Sequence, residues 1–558
     1  MFRLNSPFAA FQAAMASTLA PTVDRQPLFN YTGGRWLWNE SEQLSRRRVH
    51  FDVEELMRVT ARSLGSEKCI EIEKLSEGNF NKTFLLTTDN GKQAVARVPN
   101  PNAGRLHYST ASEVATMDFV RNVLGIPAPK ILAWSSRRDD NPVQAEYIIM
   151  EKVTGKELSH VWDTLSGKQK YSIVQQIVQF EQKFASTRFA AFGSIYYADD
   201  LSPGESSRSA HLYTDANGPL TNSKFAVGPT NNRMYFDDGR SDVAIDRGPW
   251  ESVLDYAIAS ARREIACIEK FPKFPRPQGM HGGPRQFQPS AARKLAALND
   301  YLQIAPYLLP KNQNLHASVL WHSDLHTDNI FVDPSDPVKI IGIIDWQSVH
   351  LSPLFLQART PALLEFNGPL PESFEIKLPA DYDTLSPEEQ AKAQKLRSTQ
   401  SLYKLYEVAC FKSNHDAYQA VQTRNTLGAQ ITGLVGSLFS DGEPYVQGLL
   451  ISVPHNWGKL VQGTIHENSS CPLNYSYDSQ EEQQVELEKW TQSVELMDEF
   501  LREVGAYGGW DGWVCHADYD AMKSKLHDVR RRFLDRESRS SEEREQWMRV
   551  FPFQDTMK

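Results

Sequence analysis

Cysteine is scarce and scattered in this sequence. No two cysteines form a Cys-x-x-Cys pair, and their number is odd. The 558-residue chain has five: Cys69, Cys267, Cys410, Cys471 and Cys515. Such a pattern indicates neither a disulfide framework nor a zinc site, and it is typical of a protein in a reducing compartment.

An excess of positive charge and long apolar runs are also absent. The formal net charge is −9, so nucleic acid would find no electrostatic attraction, and we expect no nucleic-acid partner. No apolar run approaches the length of a membrane span, so we expect no transmembrane segment. The 41% of hydrophobic residues in 558 suffice for a large core and more than one lobe or domain.

The amino-terminal end lacks acidic residues. Residues 1–23 contain none and are rich in Ala, Ser, Thr and Phe, which partly matches a mitochondrial presequence. However, Arg3 is the only basic residue before Arg25, and Pro7 would interrupt a helix. A disordered terminus explains the composition equally well, so the composition leaves both interpretations open.

Polar residues bracket a predicted hairpin in the stretch LWHSDLHTDNIFVDPSDPVKIIGIIDWQ, residues 320–347. The runs 330–332 and 338–344 favour β-structure, and a cluster of turn formers separates them. Antiparallel pairing would make Asn329 and Asp345 neighbours at one end of the ribbon. An amide oxygen beside a carboxylate can share a hard divalent cation. The bracket predicts a metal site, although most such brackets are simple turn and cap chemistry.

The order of these residues carries a family resemblance. Strand, turn, strand and then a carboxylate is the order found around the catalytic loop of kinase-type phosphoryl-transfer enzymes. The sequence resembles the signature of the aminoglycoside phosphotransferase and choline kinase-like family, in which H-G-D-hydrophobic-H-x-x-N precedes I-D-W. Here HSDLHTDN occupies 322–329 and IDW occupies 344–346. Ser323 departs from the pattern, because glycine is usual there.

The resemblance implies an α+β, bilobal protein-kinase-like fold. We expect a mainly antiparallel β amino-terminal lobe, a helical carboxyl-terminal lobe and a helical carboxyl-terminal extension. An insertion and the catalytic loop would lie within the second lobe. The expected bounds are 1–50 for a leader that includes the possible targeting segment, 51–152 for the first lobe, 153–440 for the second, about 193–250 for the insertion, 320–346 for the catalytic loop and 441–558 for the extension.

The resemblance also implies a reaction. The γ-phosphate of ATP would pass to a hydroxyl of a small molecule, with Mg²⁺ as the metal cofactor. Asp324 would orient the acceptor hydroxyl and take its proton, while Asn329 and Asp345 would hold the metal across the nucleotide phosphates. His322 would brace the loop rather than act as a base, and His326 would pack around the site.

Nucleotide contacts are expected from three predicted strands within residues 69–98. The turn between the first two contains one glycine, Gly78, where kinases place a glycine-rich lid over the phosphates. Arg97 on the third strand occupies the place of the phosphate-binding lysine, and Glu113 on the next predicted helix is its expected ion-pair partner. By resemblance, the adenine would bond to backbone groups of Met150, Glu151 and Lys152.

Two functions remain open at this point. Intact Asp324, Asn329 and Asp345 favour an ATP-dependent small-molecule kinase. Arg97, Ser323 and the single-glycine lid favour a pseudokinase, which would bind nucleotide as a scaffold or regulator without turnover. D-F-G and A-P-E motifs are absent, which disfavours a peptide kinase. The motif does not identify the phosphate acceptor.

Two features outside the motif resemble one branch of this family, the altered inheritance of mitochondria protein nine group. They are the segment FNYTGGRWLWNE at 29–40 and the long helical tail. Members of that branch are assigned to mitochondria, which favours a mitochondrial over a cytoplasmic location. Part of the tail is predicted to be a docked helix, with a core stripe of Val485, Trp490, Val494, Met497 and Leu501.

Overall fold

A computed structural model describes residues 25–75 and 77–555. The possible targeting segment, residues 1–23, therefore lies outside the described residues. Within the described ranges, no helix is both long and apolar enough to cross a membrane. The chain has the α+β, bilobal arrangement that the sequence predicts, with a helical extension after the second lobe.

Three short elements and one longer helix precede the sheet of the first lobe. Asp52 caps the last of them by accepting a hydrogen bond from the Glu55 amide at 2.9 Å, as an amino-terminal capping residue does. The buried face of this helix packs on the sheet described next. The elements are α1 (Gln26–Phe29), β1 (Arg35–Trp36), α2 (Glu40–Ser45) and α3 (Val53–Ser63).

The first lobe is built on one antiparallel sheet. Its elements are β2 (Cys69–Lys74), β3 (Asn81–Thr88), β4 (Gln93–Pro99), α4 (Tyr108–Asn122), β5 (Ile131–Ser135) and β6 (Tyr147–Glu151). The spatial strand order is β2-β3-β4-β6-β5. The three predicted strands are confirmed with ends shifted by single residues. Gly91 adopts φ +77° in the tight turn between β3 and β4, a conformation that glycine accepts without strain.

The second lobe mixes helices with very short strands. Its elements are β7 (Lys156–Glu157), α5 (Ser159–Trp162), α6 (Gly167–Ser186), β8 (Arg188–Phe189), β9 (Ser194–Tyr197), β10 (Tyr213–Asp215), β11 (Gly218–Leu220), β12 (Phe225–Gly228), α7 (Val253–Lys270), α8 (Ala291–Leu308), β13 (Ser318–Val319), β14 (Ile330–Val332), β15 (Ile340–Ile343), β16 (Ser352–Pro353), α9 (Leu354–Gln357), α10 (Pro387–Ser413), α11 (His415–Thr423) and α12 (Leu427–Leu434). Strands β9 to β12 fall in the expected insertion, and their few residues gave no periodic signal in the sequence.

The carboxyl-terminal region is helical, as predicted, and it returns to the beginning of the chain. Its elements are α13 (Glu443–Val461), α14 (Tyr477–Val504), β17 (Trp513–Val514), α15 (Tyr519–Glu537) and α16 (Ser541–Val550). Strand β17 pairs antiparallel with β1. Four of the five residues of the predicted stripe on α14 are buried, but Val485 is 48% exposed and lies outside the core.

Candidate active site

The hairpin β14–β15 is positioned directly beneath the link between the lobes. Strand β14 pairs on one side with β15 and on the other with β7. A Cβ at Gly155, just before β7, would approach the Val332 carbonyl oxygen to 2.7 Å. A side chain at 155 would therefore push the link away from the hairpin, which gives this glycine a steric reason.

Asn329 and Asp345 meet at the base of this hairpin. Ile330 pairs with Ile343, and the Ile344 amide donates to the Asn329 carbonyl oxygen at 3.0 Å. Asp345 follows at φ +65°, in a left-handed conformation that Asp and Asn tolerate better than most residues. The predicted hairpin thus brings the two residues together from opposite strands.

His322 lies behind the catalytic loop and is buried. Its Nε2–H donates to the Ile344 carbonyl at 2.9 Å, and its Nδ1 accepts from the Asp324 amide at 3.3 Å. Its ring makes an edge contact with Trp346 at 4.8 Å between centroids. Burial lowers the pKa of His322. A neutral ring with both nitrogens bonded to the backbone is suited to bracing the loop and not to proton transfer.

The Asp324 carboxylate faces outward. Its side chain is 61% exposed, and Nε2 of His326 lies 3.5 Å from its Oδ2. Asn329 Nδ2 donates to the Asp324 carbonyl oxygen at 2.9 Å and lies 3.4 Å from Oδ2. The hydrogen bond from His326 holds the pKa of Asp324 below its usual value. Asp324 is therefore an exposed anion on a loop that is fixed from behind.

His326 is more than a packing residue. Its Nδ1 lies 3.1 Å from Asp328 Oδ2, and its Nε2 faces Asp324. Burial opposes the charged ring, but the two carboxylates outweigh it and raise the pKa of His326. The sequence predicted packing for His326 and missed this electrostatic contact with both acids.

Arg97 lies at the centre of the site. Its Nη1 donates to Glu113 Oε1 at 2.5 Å, and its Nη2 lies 3.1 Å from Asp345 Oδ1. Glu113 is 4% exposed while Asp345 is 42% exposed. Burial raises the pKa of Glu113 to about 6, although Arg97 opposes the shift. The structure therefore joins the three residues that the sequence assigned to phosphate, ion pair and metal.

Gln347 completes this network and was missed in the sequence. Its Oε1 accepts from Arg97 Nη2 at 3.2 Å and from Asn81 Nδ2 at 2.6 Å. Its Nε2 donates to the Ala103 carbonyl at 3.2 Å. Its position immediately after the Ile-Asp-Trp motif was the available signal. Through these bonds Gln347 ties the end of the hairpin to the first lobe.

The oxygen atoms at the hairpin base suit a hard divalent cation. Asn329 directs its Nδ2 toward Asp324, and in the described part of the chain neither Asn329 Oδ1 nor Asp345 Oδ2 has a hydrogen bond. No group of three or more His, Cys, Asp or Glu residues that could hold a metal occurs in the described ranges. The amide oxygen of Asn329 and the carboxylate oxygen of Asp345 fit an ion such as Mg²⁺, which prefers oxygen ligands, keeps several waters and takes further ligands from phosphates.

The lid turn at Gly78 is open to solvent, whereas several groups of the link between the lobes, residues 150–155, already have partners within the protein. A Cβ at Gly78 would meet nothing within 4 Å, so the top of the lid turn is open. Met150 is buried between β4 and β5, and the Glu151 amide already donates to the Lys130 carbonyl at 2.9 Å. Lys152 Nζ donates to Gln93 Oε1 at 2.7 Å. Of the predicted adenine contacts, the Glu151 N–H is therefore engaged within the protein.

The insertion contacts the lid turn through Arg233. The guanidinium of Arg233 lies 3.5 Å from the centroid of the Phe80 ring, and its Nη2 pairs with Asp237 at 3.0 Å. Asp238 pairs with Arg240 at 3.3 Å. These two acidic residues of the insertion are therefore engaged by arginines of the same region.

Comparison with known proteins gives a consistent family. A profile of the phosphotransferase enzyme family matches residues 71–356. A subtelomeric hrmA-associated cluster protein of Aspergillus fumigatus is 32% identical over 468 residues, which cover 77% of this chain and 86% of the relative. The altered inheritance of mitochondria protein 9, mitochondrial, of Yarrowia lipolytica is 23% identical over 501 residues, covering 84% and 83%.

Solved structures are more distant. A putative aminoglycoside phosphotransferase from Ralstonia eutropha is 13% identical, covers 71% of this chain and 99% of its own, and has a TM-score of 0.32. At this similarity no detail of that protein is carried over to the present one. The match to the family profile runs from β2 to α9 and includes the hairpin that bears Asp324, Asn329 and Asp345. The chain belongs to the phosphotransferase enzyme family.

Proposed function

We propose that the protein is a small-molecule kinase that transfers the γ-phosphate of ATP to a hydroxyl group. One observation carries this proposal: the exposed Asp324 carboxylate lies 3.4 Å from Asn329 Nδ2, the Asn329 carbonyl bonds to the amide of the residue before Asp345, and Asp345 pairs with Arg97. Phosphoryl transfer needs positioning and charge neutralisation more than covalent chemistry. This set of side chains supplies both.

Each residue has a distinct role in the proposed reaction. Asp324 accepts a hydrogen bond from the acceptor hydroxyl and takes its proton as the oxygen attacks the γ-phosphorus, while the bond to the β–γ bridging oxygen breaks and ADP leaves. Its lowered pKa keeps it anionic at neutral pH. Asn329 and Asp345 would hold Mg²⁺, which neutralises phosphate charge when bound. Arg97 is held by Glu113 at a position from which its guanidinium can reach the phosphates.

The first lobe would hold the nucleotide. The turn at Gly78, where a Cβ would meet nothing within 4 Å, is the proposed cover of the phosphates, and backbone groups from Met150 to Lys152 are the proposed adenine contacts. Because the Glu151 N–H is engaged by Lys130, that group is excluded from the adenine hydrogen bonds. We also propose a mitochondrial location for this chain. The names of two relatives, which describe them as mitochondrial, support it.

The test is a transfer assay on the full chain with γ-labelled ATP, Mg²⁺ and a panel of hydroxyl compounds that includes sugars, amino alcohols and lipid head groups. The wild type should label at least one acceptor class, whereas Asp324→Asn should label it at least about 10²-fold more slowly while still binding nucleotide. Nucleotide binding with no transfer to any compound, in both proteins, would instead support the alternative of a nucleotide-binding pseudokinase with a scaffold or regulatory role.

A further inference from the structure

The lid turn is anchored by a buried carboxylate. Glu77, beside Gly78, has a side chain that is only 2% exposed. Its Oε1 accepts from Lys74 Nζ at 2.9 Å and from Lys82 Nζ at 2.8 Å. Its Oε2 accepts from the Thr32 amide at 2.6 Å and from Thr32 Oγ1 at 3.0 Å. Four donors thus surround one carboxylate in the turn that would cover the phosphates.

The two lysines tie both flanking strands to the same point. Lys74 ends β2 and Lys82 lies near the start of β3, and the Lys82 side chain is fully buried. Lys74 Nζ also donates to the carbonyls of Pro27 and Asn30, each at 2.7 Å. Burial lowers the pKa of Lys74 to about 8. A charged lysine side chain is costly to bury without hydrogen-bond acceptors. Residues 27–32 provide several acceptors for Lys74.

Residues 26–38, called the strap here, continue from the lid to the carboxyl-terminal region. His516 Nε2 lies 3.2 Å from the Thr32 carbonyl oxygen. Trp36 Nε1 donates to Asp511 Oδ2 at 2.9 Å, and the Leu37 amide donates to the Gly512 carbonyl at 3.0 Å. The strap also contains β1, which pairs with β17.

The contact between the strap and the extension is close. A Cβ at Gly34 would approach the Val514 carbonyl oxygen to 2.5 Å. The guanidinium of Arg35 lies 3.6 Å from the centroid of the Tyr519 ring. A continuous set of hydrogen bonds and packed groups therefore runs from α15 through the strap to Glu77.

We propose that Glu77 is the positioning residue of the lid, and that the strap transmits the position of the carboxyl-terminal extension to it. A glycine-rich lid is shaped by the nucleotide that it covers, whereas this lid, with one glycine, is fixed beforehand by a salt-bridged cluster. Preorganisation of this kind lowers the entropy cost of binding. The effect on nucleotide affinity rests on the proposed function, but the effect on the lid itself does not.

The lid is tested by hydrogen–deuterium exchange of residues 74–82 in the full chain without nucleotide. Glu77→Gln keeps the shape and removes the charge that two ammonium groups require, so exchange in the lid should accelerate at least about tenfold, since hydrogen bonds to charged groups are worth about 1.5–3 kcal/mol. Glu73→Gln, on the neighbouring strand β2, is the matched control and should leave the rate unchanged. Wild-type exchange rates in Glu77→Gln would overturn the positioning role.

Transmission is tested from the far end of the strap. Asp511→Ala removes the acceptor of the Trp36 indole and touches no lid residue, yet exchange in residues 74–82 should rise severalfold. If only the exchange of residues near Trp36 rises, transmission by the strap is refuted.

Thr32→Val provides a milder test of the lid should Glu77→Gln not fold. It keeps the shape of the side chain and loses one hydrogen-bond donor to Glu77.

Nucleotide affinity supplies the second readout. The dissociation constant of Mg-ATP should rise about tenfold in Glu77→Gln and stay unchanged in Glu73→Gln, and Glu77→Asp should recover part of the loss. An unchanged dissociation constant with faster lid exchange would overturn the role of the lid in binding. If the wild type binds no Mg-ATP, the proposed function fails, while the exchange experiment still decides whether Glu77 and the strap fix the lid.

Discussion

The pair formed by Arg97 and Glu113 allows the sharpest prediction about the first lobe. The Glu113 side chain is 4% exposed and its Oε1 lies 2.5 Å from Arg97 Nη1. Replacing Arg97 by Met would leave a buried carboxylate without its counter-charge. Breaking a buried pair by removing one partner typically costs about 3–5 kcal/mol of folding free energy, and we expect a loss in this range at pH 8.

The loss should depend on pH with a definite sign. In the native protein the pKa of Glu113 is raised from 4.5 to about 6, so the folded state binds this proton more tightly than the unfolded state. Stability from this group is therefore full below pH 4.5 and is lost as the pH rises through about 6, by about 2 kcal/mol. Without Arg97 the pKa must rise further. At pH 5 the carboxyl is then neutral, and the variant should lose only about 1 kcal/mol of packing.

Urea unfolding at pH 5 and pH 8, followed by tryptophan fluorescence and circular dichroism, measures both losses. Arg121→Met is the matched control, because Arg121 pairs with Glu151 at 2.7 Å with side chains 34% and 38% exposed. Such a pair is worth about 0–1 kcal/mol. The reasoning is refuted if Arg97→Met loses no more than the control, or if its loss is the same at both pH values.

Three further predictions concern the catalytic loop and the hairpin. Asp324→Asn should slow transfer about 10²–10⁴-fold in the labelled-ATP assay, as loss of a general base does, with calorimetric Mg-ADP affinity unchanged. Burial keeps His322 neutral below its ordinary pKa of 6.5, so the contribution of His322 to stability should fall as the pH drops below 6.5. His322→Phe should remove this contribution, so that the melting temperature of the variant falls less than that of the wild type between pH 6.5 and pH 5. Gly155→Ala should cost about 1–3 kcal/mol through its clash with Val332, whereas Gly167→Ala, in open space, should leave the melting temperature unchanged.

The hairpin could be predicted because its information is local. Two β-rich runs flank a cluster of turn formers, and the polar residues at their ends were bound to meet once the runs paired. The structure pairs Ile330 with Ile343, which brings Asn329 beside Asp345 as expected. The strands of the first lobe could be predicted for the same reason, since Gly91 marks the turn between two of them.

The lid anchor and the strap could not be predicted, because their partners are distant in sequence. Thr32 and Glu77 are 45 positions apart, and Trp36 and Asp511 are 475 apart. Strand β1 has two residues, too few for a periodic pattern. Val485 was predicted to be part of the core stripe but is exposed. A helical stripe predicts which face of a helix is apolar, and it does not predict where along its length the helix leaves the core.

The central claim is a metal-dependent nucleotide site at Asp345, and a calorimetric titration with ATP and Mg²⁺ on the wild type and Asp345→Asn tests it most directly. The ion pair to Arg97 is half-exposed at Asp345 and worth about 0–1 kcal/mol, and Asn tolerates φ +65°, so the unliganded variant should remain folded and nearly as stable. We predict Mg²⁺-dependent binding by the wild type that weakens by a factor on the order of 10–100 in the variant. No binding by the wild type, or equal binding by both proteins, would contradict the account.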